Sequence, residues 1–236
     1  MKKVYLIGDC HSTRVWQHWD PERCPLQFKV WGLAGLTAWT FDPYLYEKEH
    51  KLSEGIENVN QYVEKEQNWW VRDFNDFKDP DLVIVWLGYV DIRQRLPHFK
   101  NAKEDAIQYL DRVRNYYKNS QIQIVEPLPQ FTEMLLKYDG ISPTYTYEER
   151  QSQNDEFCKA INDYAYQHGM IKPITQQQIK DAVGIMEFTT EYAADAFPLA
   201  EPWHNSKKDS LKEEYWEKIY YLFMHNAIQI LDIAVD

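Results

Sequence analysis

Short apolar runs alternate along the chain with longer stretches whose apolar residues recur at helical spacing. "KVYLIG" (3–8), "FKVWG" (28–32), "DLVIVWLG" (81–88) and "IQIVEP" (122–127) are brief, rich in Val and Ile, and each ends near Gly or Pro. Their apolar residues are continuous rather than alternating, the pattern of strands buried on both faces of a parallel sheet. Between and after them, helices are predicted. "VNQYVEKEQNWWVRDF" (59–74) places Val59, Tyr62, Val63, Trp69, Trp70 and Phe74 compatibly with one helical face. "NAKEDAIQYLDRVRNYYKN" (101–119) does the same with Ala106, Tyr109, Leu110, Val113 and Tyr117. A third helix, 147–169, ends at Gly169 in a C′ position. A last one covers about Lys208 to Ile233. Residues 36–58 read as a loop able to sit over a site, and 128–146 as turns ("PLPQF", "DGISPTY"). Without a repeat or linker, the alternation predicts one domain over residues 1–236, a doubly wound three-layer α/β/α sandwich. In such sheets ligands bind outside the carboxyl ends of the strands, at the switch point in strand order.

Composition narrows the function classes. The chain has 236 residues, 44% of them hydrophobic, enough for a sizeable core. With 26 basic and 37 acidic residues the formal charge is −11, which argues against nucleic-acid partners and against docking on an anionic membrane. No segment approaches the roughly 20 apolar residues of a membrane span. "MKKVYLIGDC" is too short in its apolar part for a secretory signal and reads better as a first strand, so a cytoplasmic location is expected. Cys10, Cys24 and Cys158 are an odd number at no metal-like spacing and suit free thiols; Cys158 sits with Phe157, Ile161 and Tyr164 on a core face. No metal or organic cofactor is implied. The 15% aromatic content exceeds ordinary core needs, which points to a groove or an interface.

The candidate chemistry begins where the first run ends, at "GDCHS" (8–12). A nucleophile at a strand–turn–helix junction is exposed, and the free N–H groups of the helix N-terminus favour a thiolate. Cys10 stands there, flanked by Asp9, His11 and Ser12. His11 suits capping or positioning of the helix better than service as a base, and Ser12 is a fallback nucleophile whose hydroxyl, further along the helix, would point elsewhere. Far along the chain, "LAEPWHNS" supplies Glu201 and His204 three residues apart, a carboxylate able to orient an imidazole. Trp31, Trp39 and Trp203 flank these segments and offer stacking faces for a sugar ring, although packing is the more frequent use of tryptophan. His18, His50, His98, His168 and His225 have no partner at metal-ligand spacing.

In their order these segments resemble the blocks of the SGNH (GDSL-like) hydrolase family. "GDCHS" resembles the first block, G-D-S, where Ser is the nucleophile. "VWGLAGLTAW" (30–39) resembles the second, whose glycine donates to the oxyanion hole; Gly35 is the first choice and Gly32 the second. "VWLGYVDIR" (85–93) resembles the third, G-x-N-D, and "EPWH" the last, D-x-x-H. The resemblance implies a flavodoxin-like, about five-stranded parallel sheet. It also implies a Cys10–His204–Glu201 triad with an oxyanion hole from Cys10, Gly35 and Gly88. Asp9, His11, Ser12, Asp91, Arg93 and Trp203 would stand around substrate or behind the triad.

Three departures leave two functions open. Cys10 replaces Ser, Val90 stands where the oxyanion Asn is expected, and Glu201 replaces Asp; "GYVDIR" is closer to a G-E-I-D-x-R variant of the third block, in which Arg93 is the candidate substitute. The first function is an ester hydrolase acting on a small ester, such as an acylated carbohydrate. The second is a catalytically silent binding or structural module on the same scaffold, self-associated or part of a larger assembly such as a virion. A flavodoxin-like cofactor binder is disfavoured, because "GDCHST" lacks a glycine-rich phosphate loop.

Overall fold

The computed structural model describes residues 1–33, 38, 41–43, 70–72, 79–94, 102–129, 146–188, 211 and 213–233; for residues 10, 13, 33, 70–72, 93, 94 and 213 it describes the backbone alone. Five strands form one sheet: β1 (Lys2–Gly8), β2 (Leu26–Leu33), β3 (Trp70–Arg72), β4 (Leu82–Trp86) and β5 (Gln121–Ile124), in the order β3-β2-β1-β4-β5. β2, β1, β4 and β5 are parallel. The expected sheet of about five strands, parallel in character, is found, with the short edge strand β3 pairing antiparallel with β2. Beyond β5, Ile174 adds one parallel bridge to Val125.

The continuous apolar runs have the cause inferred for them. In β1, Val4 and Leu6 face one core while Tyr5 and Ile7 face the other, and β4 divides Leu82, Ile84 and Trp86 from Val83 and Val85 in the same way. The first core is covered by α1 (Cys10–Trp16), α5 (Gln176–Val183) and α6 (Glu213–Ile230); the second by α3 (Ala102–Tyr116) and α4 (Tyr147–Gln167). α2 (Tyr89–Gln94) follows directly on β4. The three-layer α/β/α arrangement is the one expected.

Local chemistry sets the helix ends. Thr146 and Glu149 form a reciprocal capping box at the start of α4, and Thr175 and Gln178 repeat it for α5. Gly169, at φ +60°, closes the α4 end as predicted. The helix expected over 59–74 is corrected at its described end: Trp70–Arg72 is an edge strand, its bulky side chains suiting β pairing at least as well as a helix. The last helix begins at Glu213 rather than near Lys208. Among the described residues no helix is long and apolar enough to cross a membrane.

Candidate active site

Register brings three of the four blocks to one edge. Gly8 pairs with Gly32 on one side and Trp86 on the other, so the carboxyl ends of β1, β2 and β4 end at the same level. The next residues out are Asp9 and Cys10 from β1, and Leu87 and Gly88 from β4. This is the switch point of the strand order, where β1 has β2 on one side and β4 on the other.

The turn into α1 demands glycine on its strand side. A methyl group at Gly8 would stand 1.9 Å from Ser12 Oγ and 2.5 Å from the Trp86 carbonyl oxygen. The Ser12 hydroxyl is therefore packed onto the strand backbone. It is fully buried and finds no hydrogen-bond partner among the described residues, a poor situation for a fallback nucleophile.

Asp9 caps the helix that Cys10 begins. Its Oδ1 accepts the His11 N–H at 2.9 Å, and its carbonyl oxygen accepts the Ser12 N–H at 3.1 Å. Neither bond uses the Cys10 N–H, the donor assigned to the oxyanion hole. The cap also modifies the expectation for the thiol. α1 has seven residues, and a carboxylate 2% exposed already occupies its positive end, so Asp9 competes with a Cys10 thiolate for the same field.

His11 is held on every side. Its Nδ1 lies 3.2 Å from Asp9 Oδ1. Its ring stacks on Trp216 of α6 at 5.2 Å between centroids, meets Tyr89 of α2 edge-on at 4.7 Å, and lies 5.9 Å from Trp86 of β4. At 4% exposure His11 is a positioned core group that links the Asp9–Cys10 turn to β4, α2 and α6. Trp86 extends the link, its indole N–H donating to the Glu126 carbonyl oxygen at 3.0 Å. The Glu126 carboxylate then accepts from Asn162 Nδ2 on α4 and from the Gln176 N–H that opens α5, both at 2.6 Å.

Gly88 has φ +109°, and a Cβ there would stand 2.6 Å from the Phe157 ring, so only glycine fits the exit from β4. Val90, at the expected Asn position, is buried with 2% exposure. Asp91 lies in the first turn of α2, 1% exposed, and its Oδ2 accepts the Ala38 N–H at 2.8 Å. Arg112 of α3 donates from Nη2 to the Ala38 carbonyl oxygen, also at 2.8 Å.

The other candidates are placed as follows. Gly35, Glu201, Trp203, His204 and Trp39 lie outside the described residues, as do the side chains of Cys10 and Arg93. Trp31 is removed from the sugar-stacking candidates: it is 1% exposed and packs on Phe41 at 5.1 Å. Cys24 is buried with its thiol 3.8 Å from the Met224 sulfur, and burial pushes the Cys158 thiol well up, with Glu126 adding to the effect. Two contributors were missed in the sequence, Arg112 and Trp216. The signal for Arg112 was present, since Asp105 and Arg112 stand seven residues apart on an otherwise apolar helix stripe.

No protein-family profile matches the chain, and no curated protein sequence does. Solved structures do match. An extracellular lipase from Streptomyces rimosus superposes with a TM-score of 0.53 at 13% identity, over 96% of this chain and 99% of its own. A putative arylesterase from Agrobacterium tumefaciens gives 0.52 at 17%, over 98% and 100%. The psychrotrophic esterase EstA from Pseudoalteromonas sp., in a structure inhibited by monoethylphosphonate, gives 0.52 at 11%, over 98% of each chain. The chain therefore has the α/β fold of these hydrolases, a parallel sheet between helical layers, as the resemblance to the SGNH family implied.

Proposed function

We propose that this chain is an SGNH-like ester hydrolase with Cys10 as nucleophile, His204 as general base and acid, and Glu201 orienting the imidazole. The observation that carries this reading is the convergence of the Asp9–Cys10 turn and Gly88 at the switch point of an esterase-type sheet. The Cys10 sulfur attacks the ester carbonyl carbon as His204 takes its proton. The N–H groups of Cys10 and Gly35, beside Gly88, receive the charge that develops on the oxygen. Collapse breaks the C–O bond, His204 protonates the departing alcohol, and a thioester remains. Water, deprotonated by His204, attacks the thioester; the C–S bond breaks, releasing the carboxylic acid and the thiol. An acylated carbohydrate is the proposed substrate, with Trp39 and Trp203 as its stacking faces.

The test is the pH dependence of Cys10 alkylation by iodoacetamide, in the wild type and in His204→Ala, with each cysteine followed by mass spectrometry. An apparent pKa well below the free-thiol value of about 8.5, lost in His204→Ala, is the expected result. Slow labelling that ignores His204 overturns the proposal. One observation favours the second reading, a silent module in a larger assembly: Val90 fills the oxyanion Asn position with a buried side chain that has no hydrogen-bond donor. Loss of one such donor costs about 10²–10³ in rate, so a protein that fails the alkylation test would be studied for partners instead of substrates.

A further inference from the structure

We infer that Trp216 of α6 is a positioning residue for the Cys10 backbone, acting through His11 and Asp9. The inference rests on the nucleophile role proposed for Cys10 and deepens it.

The backbone of Cys10 is bridged by its two neighbours. Asp9 Oδ1 accepts the His11 N–H at 2.9 Å and lies 3.2 Å from His11 Nδ1, so one carboxylate oxygen meets both the backbone and the ring of the residue two places on. The Asp9 carbonyl oxygen accepts the Ser12 N–H at 3.1 Å. Cys10 is the residue these contacts span, and its Cα–Cβ bond leaves in the direction that its backbone sets. A carboxylate only accepts, so the imidazole turns an N–H toward it. Both side chains are buried, where water does not take the place of a lost contact. Displacing the ring therefore displaces Asp9 and the turn with it.

What holds the ring is a box of three others, one each from β4, α2 and α6. Trp86 and Tyr89 flank the β4 exit at Gly88. Trp216 comes from the far end of the chain and makes the stacked contact, 5.2 Å between centroids with planes 23° apart, while Trp86 is tilted and Tyr89 edge-on. Trp216 is itself fixed, since its buried indole N–H donates to the Leu211 carbonyl oxygen at 3.0 Å. Trp86 is tied in the same way to the Glu126 carbonyl oxygen, and it meets Trp216 at 6.4 Å and Phe223 at 5.2 Å, both edge-on. Two tethered indoles thus close on the imidazole, one from the sheet and one from α6. A leucine or phenylalanine would fill such a box without the cost of burying a polar ring. The imidazole adds what those cannot, a polar contact to Asp9. A nucleophile has to be held to a fraction of an ångström, since misplacement by about 1 Å costs about 10²-fold in rate. Trp216 then bears on the reaction through this chain of contacts and not by touching substrate.

The experiment compares wild type, Trp216→Leu, Trp216→Phe, His11→Leu and the double variant His11→Leu with Trp216→Leu. Three measurements are made on each: amide exchange of the peptide covering 8–16, kcat and KM on p-nitrophenyl acetate, and urea stability. Trp216→Leu is expected to speed exchange in that peptide about tenfold beyond any change in the α4 amides. Its kcat falls about 10–100-fold with KM within about twofold. Trp216→Phe, which keeps a ring against His11 but loses the tether to Leu211, gives the same pattern in smaller measure and serves if Trp216→Leu does not fold. In the His11→Leu background, Trp216→Leu lowers kcat by no more than about twofold further, because its route to Cys10 is already gone. Exchange in 8–16 that rises only in step with global stability, an unchanged kcat, or a Trp216→Leu cost that is the same with and without His11 would overturn the inference. A wild type inert to p-nitrophenyl acetate would count against the hydrolase reading, and exchange in 8–16 would still decide whether Trp216 holds the turn.

Discussion

Replacing Gly88 by Ala tests the geometry of the β4 exit directly. The new Cβ would lie 2.6 Å from Phe157 Cε1 and 2.7 Å from Cζ, against an ordinary carbon–carbon contact of about 3.5 Å or more. The ring would have to retreat by about 0.9 Å, yet it is fully buried and stacked on Tyr109 with planes 7° apart. Overpacking of this kind costs about 1–3 kcal/mol. The backbone adds its own cost, since φ is +109° and a left-handed conformation costs a non-glycine residue about 1–2 kcal/mol. The sum is about 2–5 kcal/mol, or a fall in Tm of roughly 4–20 °C at about 2–4 °C per kcal/mol. Urea unfolding followed by circular dichroism measures it, as a lower midpoint at unchanged m-value. Repeating the substitution in a Phe157→Leu background separates the two costs, because the smaller side chain relieves the clash and leaves the backbone strain. Gly88→Ala should then cost only about 1–2 kcal/mol. A cost below about 1 kcal/mol in the wild-type background, or the same cost in both backgrounds, would refute the reasoning.

Two further outcomes follow from electrostatics. Asp9→Asn removes the carboxylate that competes for the α1 N-terminus, so Cys10 alkylation by iodoacetamide should become faster at neutral pH, with its apparent pKa lowered; an unchanged or slower rate would mean that Asp9 helps the thiol through His11. Asp81 is opposed by partial burial, but the Lys2 side chain at 2.8 Å and the Lys3 N–H hold its carboxyl below the usual carboxylate range. Its folded pKa is depressed, so its contribution is present above about pH 4 and lost as pH falls through the folded value. Asp81→Asn should therefore cost at most about 1 kcal/mol at pH 7 and nothing near pH 2, as read from urea melts at both pH values.

The elements visible in the sequence are those whose burial leaves a one-dimensional trace. β1 and β4 pack on both faces, so their residues are apolar without a break, and α3 carries one apolar stripe. β3 left a misleading trace, for "WWVR" is as aromatic as a helix face and only its pairing with Trp31–Leu33 makes it a strand. α5 escaped notice because "QQQIKDAV" has few apolar residues to repeat; its signals are the local Thr175–Gln178 box and Gly184. At the site, the Cys10 turn and Gly88 could be read because each is a short contiguous motif. Arg112 and Trp216 could not be placed, since what defines them is contact with Ala38 and His11 across 74 and 205 residues of chain.

The position of β1 in the sheet carries a consequence for synthesis. β1 is flanked by β2 and β4, and β4 begins at Leu82. Contacts of such long sequence separation form late. At about 5–20 residues per second, the roughly 70 residues between β1 and β4 take about 4–15 s to follow β1 out of the ribosome. During that time Val4, Leu6 and Ile7 have at most one strand neighbour, and an open edge of apolar residues is a template for pairing with another chain. A transcript that stalls before Leu82 would release a sticky fragment, so this protein's yield in a cell should depend on uninterrupted translation through β4 and on chaperones that shield β1 until it arrives.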